Sequence, residues 1–145
     1  MASTRTESVG FLLTDVSRLM RRRFMQKLEA EQGGLTLAQA RVLLHVSRNQ
    51  GVRQIDVAEL LEMQPITLAR LIDALEADRL VERRPDPNDR RAYQIHLGVA
   101  AAEKLALIER VARAVRSEAL RCLDAEQSAA LMNALETMRG NLSAR

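Results

Sequence analysis

Aromatic side chains are nearly absent from this chain, which has no Trp, one Tyr and two Phe in 145 residues. That scarcity argues against the stacking platforms on which single strands and RNA bases are bound. Cysteine occurs once, at Cys122, so an internal disulfide is excluded and a reducing compartment is expected. Near the end of a helix, Cys122 is expected to be a small buried residue rather than a redox sensor. No apolar stretch approaches the roughly 20 residues of a membrane span. The N-terminal Ser, Thr and charged residues contain no apolar run of signal-peptide length. Metal-ligand spacing, a glycine-rich phosphate loop and a nucleophile signature are also missing, and His45 and His96 fall on different elements. The expectation is a soluble cytoplasmic protein that is not an enzyme, with no catalytic residues, metal or cofactor.

What is present is a hydrophobic content of 47% and a net charge of +3. These suffice for one folded domain and permit an anionic partner without requiring one. Leu12, Val16, Leu19, Met20, Phe24 and Leu28 recur at helical spacing after Ser8, and Gly33-Gly34 is expected to cap that helix. Thr36 and Gln39 form a capping-box signature for a second helix. Val52-Arg53 reads as a minimal strand. A short helix with Ile55, Ala58, Leu60 and Leu61 follows, and Pro65 marks the start of another with a stripe of Leu68, Leu71, Ile72 and Leu75. Val99 to about Leu120 reads as a long helix, and Asp124 as the N-cap of a last one.

Between these helices lies Val81–Leu97, two short strands joined by a loop containing Pro85, Pro87 and Asn88. It carries Arg83, Arg84, Arg90 and Arg91. By itself such a hairpin is equally a solvated one whose arginines pair with Glu82, Asp86 and Asp89. Read with the two short helices before it, it describes a winged helix-turn-helix. There the second helix enters the major groove of double-stranded DNA. Its face opposite Leu68, Leu71 and Leu75 holds Gln64, Thr67 and Arg70, types that suit base edges, beside Pro65.

The segments Arg70-Leu-Ile-Asp-Ala-Leu-Glu76, Leu80-Val-Glu-Arg83 and Asp89-Arg-Arg-Ala92, with Leu97, resemble the MarR (multiple antibiotic resistance regulator) family over nearly the whole chain. The Gln64-Pro65 start is similar to its SlyA branch. The resemblance implies a mainly α fold with a small β-wing, a single domain over residues 1–145. Residues 35–98 would form the DNA-binding lobe, and residues 8–32 and 99–143 the helices of a homodimer. It further implies a regulator, a repressor of a pseudo-palindromic operator, released by a small aromatic or anionic effector, such as an aromatic acid or its coenzyme A thioester. Gln64, Pro65, Thr67 and Arg70 resemble the groove-reading positions. Either Arg90 or Arg91 resembles the arginine of the minor groove. Asp89 would support the wing, and Arg83 and Arg84 would meet phosphate. Two positions depart from the family pattern. Arg79 stands where Gly is usual, so it must take a left-handed conformation at some cost or the helix must end differently. Gly98 stands where Thr usually caps the next helix, an acceptable but weaker cap.

The basic run Arg18, Arg21, Arg22, Arg23 and Lys27 reads as a solvated face, as a weak membrane-surface helix, or, by the resemblance, as one wall of a ligand cleft. In the last case Arg18, Arg22, Arg41 and His45 would meet an anionic ligand. Apolar stripes on the terminal helices exceed what a central module can cover, so a dimer is expected, with an intramolecular bundle as the alternative. From another class, a dimeric helical adaptor without DNA binding would not need the groove-face and loop arginines together.

Overall fold

The computed structural model describes residues 8–144. Residues 1–7 and 145, which include the N-terminal segment discussed above, lie outside the described residues. The order is α1 (Val9–Ala30), α2 (Leu37–Arg48), β1 (Val52–Arg53), α3 (Gln54–Leu60), α4 (Pro65–Ala77), β2 (Val81–Pro85), β3 (Tyr93–Leu97), α5 (Ala101–Ala119) and α6 (Ala125–Ser143).

Local chemistry starts most helices. Ser8 accepts from the Phe11 N–H to open α1. Thr36 and Gln39 make both halves of a capping box on α2, and Asp124 and Gln127 do the same on α6. Each such cap is worth about 1 kcal/mol. Pro65 takes the first position of α4, where its missing N–H is not needed.

Helix ends follow a different rule from the expected glycine cap. Gln32, not Gly33, is the left-handed residue after α1 (φ 53°), and the Gly33 N–H bonds back to the Leu28 carbonyl at 3.0 Å. Gly33 itself is buried against Leu28, where a Cβ would come within 2.6 Å of Cδ1. Glu62, Arg79 and Cys122 end α3, α4 and α5 in the same left-handed way. Arg79 thus takes the left-handed conformation in spite of its Cβ. Cys122 is exposed on the α5–α6 turn, which corrects the expectation of a buried thiol. A left-handed turn residue projects outward instead of into a helix interface.

Gly98 is not the cap of α5, which begins at Ala101 behind Ala100 without a side-chain cap. Its role is close approach. Its N–H bonds the Leu80 carbonyl at 2.9 Å, and the Ala100 N–H bonds the Arg79 carbonyl at 3.0 Å. The end of β3 therefore lies directly on the backbone that leaves α4.

The three strands form an antiparallel sheet in the order β1-β3-β2, with Val81 opposite Leu97, Arg83 opposite Ile95 and Pro85 opposite Tyr93. Ile95 faces inward with no exposure and Tyr93 lies half exposed near the loop. The core gathers Leu28, Leu43, Val46, Val57, Leu68, Ile72, Leu75, Val81 and Ile108. Burying side chains of this size stabilises by about 1.5–3 kcal/mol each. In α3 the buried set is Val57 and Ala58, with Leu61 just beyond, while Ile55 and Leu60 point outward.

The terminal helices behave differently. Phe24 and Leu28 of α1 are buried, but Val9, Leu12, Leu13, Val16 and Leu19 are exposed, and α6 buries no residue. Within one chain the described terminal helices therefore do not cover these apolar side chains as an intramolecular bundle would. Among the described helices, none is long and apolar enough to cross a membrane.

Candidate nucleic-acid interface

The site is built on α3, α4 and the hairpin. Burial of Leu68, Ile72 and Leu75 fixes the rotation of α4. Gln64, Pro65, Ile66, Thr67 and Arg70 are consequently exposed along the opposite face and its N-terminal end. Gln64 is the N-cap residue, yet its side chain makes no capping bond and stays free. Ile66, 65% exposed, was not singled out from sequence. Its signal is an apolar residue out of register with the buried stripe.

The hairpin loop is held by its own acids. Asp86 Oδ1 accepts from the Asn88 N–H (2.8 Å), and Asp89 Oδ1 from the Arg91 N–H (2.9 Å). The Asp86 N–H reaches the Ala92 carbonyl at 3.0 Å, closing the loop. Asp89 thus bonds within the loop, to the backbone of Arg91. The remaining oxygens of both acids face Arg53 of β1, at 3.7 Å from Asp86 and 3.6 Å from Asp89. Sequence reasoning missed Arg53. The signal was two loop carboxylates, one of them almost wholly buried, that needed a cation.

The four arginines separate sharply. Arg90 and Arg91 are exposed, and neither has an ion-pair partner among the described residues. Arg91 lines a cleft of about 330 Å³ between the loop and the start of α4, together with Arg53, Pro65 and Tyr93. Arg84 is exposed and pairs with Glu82. Arg83, expected at phosphate, is turned inward and only 17% exposed. Its donors are taken up by Glu76, Gln54 and the Ala69 carbonyl, with Asp73 at 2.6 Å. The cause is its place on the strand, facing two carboxylates of α4.

The expected ligand residues are not brought together. Arg18 pairs with Asp15 one turn away at 3.0 Å. Arg22 lines a cleft of about 440 Å³ between α1 and α5, where Arg23 and Lys27 both reach Glu118. Those cations hold the Glu118 carboxyl below the usual range, chiefly through the Arg23 hydrogen bond. Arg41 lines a separate, mainly apolar cleft of about 210 Å³ between α1, α2 and α5, with Arg21, Phe24 and Leu44. His45 lines neither. Partial burial, and then the Arg48 charge, push its pKa below the usual histidine value.

A two-helix unit followed by an antiparallel hairpin, with a third strand from the preceding connection, is a winged helix. A sequence profile of the MarR family matches residues 33–92. Among solved structures, the transcriptional regulator PA3341 superposes with a TM-score of 0.81 at 33% identity over 95% of this chain and 100% of that one. A MarR transcriptional regulator from Methanosarcina mazei Go1 gives 0.82 at 24% identity, over 92% and 94% of the two chains. A mutant MarR from E. coli complexed with operator DNA gives 0.74 at 24% identity, over 90% and 92%. The chain belongs to the MarR family and has the fold of its transcriptional regulators.

Proposed function

We propose that the chain binds a pseudo-palindromic operator in duplex DNA as a homodimer and represses transcription until a small ligand releases it. One observation carries the reading. Arg53 faces Asp86 and Asp89, so Arg90 and Arg91 remain uncompensated beside the open face of α4. A hairpin serving only as solvated surface would neutralise its own tip. Gln64, Pro65, Thr67 and Arg70, now with Ile66, enter the major groove. Ile66 offers the apolar contact that a thymine methyl accepts. Arg90 or Arg91 enters the flanking minor groove, while Arg84 meets phosphate. That an E. coli protein of the same fold is found complexed with operator DNA supports duplex DNA as the partner.

Residues 35–98 serve as the reading lobe of a single domain, and residues 8–32 and 99–143 as the dimer helices. The exposed apolar side chains of α1 and α6, Leu131 and Met132 among them, supply the contact between subunits. The effector site is the α1–α2–α5 cleft, where Arg21 and Arg41 provide the anion contact in place of the expected Arg18, Arg22 and His45. Its mainly apolar walls suit the ring of a small aromatic acid. Such a protein works in the cytoplasm.

The test is salt dependence. Log affinity for duplex DNA falls with log salt by about 0.9 per phosphate neutralised. A flat response defeats the reading.

A further inference from the structure

We infer that Arg83 is a positioning residue for DNA reading, fixing the hairpin on the recognition helix and so setting where Arg90 and Arg91 meet DNA. The inference rests on the DNA-binding reading above. Arg83 sits at the middle of β2 and joins three elements. Its Nε donates to Gln54 Oε1 of α3 at 2.9 Å. Its Nη1 meets Asp73 Oδ1 at 2.6 Å and Glu76 Oε1 at 3.3 Å on α4. Its Nη2 donates to the Ala69 carbonyl at 3.0 Å, and its backbone N–H to Glu76 Oε2 at 2.8 Å. Glu76 thus grips both the main chain and the side chain of one residue.

This geometry requires a planar fork. A lysine ammonium carries the same charge but cannot reach α3 and two places on α4 at once. Across the strand pair, Arg83 lies opposite Ile95, which is fully buried. Directly opposed residues project from the same face of a sheet, so the hairpin base is pinned on its inner face by the core at Ile95 and, beside it, by this network. Beyond the hydrogen bonds inside its own loop, the tip is tied to the rest of the described fold by the longer Arg53 pairs with Asp86 and Asp89. Loosening the base moves everything beyond it, including the two unpaired arginines.

Electrostatics gives the proposal a test of opposite sign. Asp73 and Glu76 are negative charges beside the DNA-facing surface. If they only repelled phosphate, Glu76→Gln would tighten binding. If Glu76 anchors Arg83, the same change weakens it. The probe is the duplex that the wild-type protein enriches from a random-sequence pool, followed by fluorescence anisotropy across a salt series, with thermal melting recorded for every variant.

Glu76→Gln and Arg83→Lys are each expected to weaken binding roughly tenfold, the scale of one lost base contact. Both losses should shrink to less than about twofold when Arg90 and Arg91 are already alanine, because residues acting through one another are not additive. Tighter binding by Glu76→Gln overturns the inference. So does wild-type affinity in Arg83→Lys alongside a salt slope lowered by about 0.9 in Arg83→Gln, the mark of a direct phosphate contact. Should the Arg83 variants melt too low to assay, Glu76→Gln decides alone. A wild-type protein that enriches no duplex defeats the DNA-binding reading itself, a distinct result.

Discussion

Gly98→Ala replaces one hydrogen with a methyl at the junction of β3 and α5. The new carbon would stand 2.1 Å from the Arg79 carbonyl oxygen, 2.6 Å from its carbon and 3.0 Å from the Leu80 carbon. All three are backbone atoms, so no side chain can swing aside. Relief requires the strand end to lift, which stretches the Gly98–Leu80 and Ala100–Arg79 hydrogen bonds. Each bond contributes about 1 kcal/mol, and forced overpacking adds about 1–3 kcal/mol. Restricting the unfolded chain returns about 0.4–1 kcal/mol. The net loss is about 2–4.5 kcal/mol, or a fall in Tm of about 6–15 °C for a chain of this size. Circular dichroism melting at fixed protomer concentration measures it, since association shifts Tm by mass action. Gly140→Ala is the control. A Cβ there meets nothing within 4 Å, and the helix should gain up to about 1 kcal/mol. A Gly98→Ala protein that melts at or above the wild-type temperature would refute the close-approach argument.

Three further outcomes are expected. Arg70→Ala should cost about 1–3 kcal/mol on the preferred duplex and relax one base position, as read by competition with single-base variants, whereas uniform weakening would reduce Arg70 to a phosphate contact. Asp124→Ala removes the capping box of α6, which buries nothing within its own chain, so a loss of about 1 kcal/mol should appear in sedimentation equilibrium as weaker self-association. His45 has a lowered pKa in the fold, so the unfolded chain binds more protons. Stability is therefore full above the ordinary histidine value of 6.5 and declines as pH falls through it towards the folded value. His45→Gln should flatten that part of a plot of Tm against pH, and an unchanged profile would assign the dependence elsewhere.

Legibility from sequence divided along the range of the interactions. Thr36 with Gln39, Pro65 and Asp124 declared their helices because each cap is settled within four residues. The stripe Leu68, Ile72 and Leu75 oriented α4 for the same reason, and with it the exposed Gln64, Thr67 and Arg70. Arg83 was misread because its partners Gln54 and Ala69 are distant in the chain and meet it only after α3, α4 and β2 have packed. The same holds for Arg53, whose purpose depends on where the hairpin loop folds back. The ligand arginines failed differently. Shared charge does not bring side chains together, and Arg18 and Arg22 of α1 and Arg41 of α2 diverge into a local ion pair and two clefts.

The left-handed helix ends at Gln32, Glu62, Arg79 and Cys122 have a consequence for how such a protein varies. Each costs native strain of about 1–2 kcal/mol, yet a side chain also restricts the unfolded chain relative to glycine. The two effects oppose one another, and all four side chains project into water. These corners can exchange one polar head for another with little change in folding. Gly98, pressed against a carbonyl, has no such freedom. Sequence drift is thus steered to the helix corners, where a cation, an acid or a thiol can be gained or lost on the surface while the geometry joining β3 to α5 stays fixed.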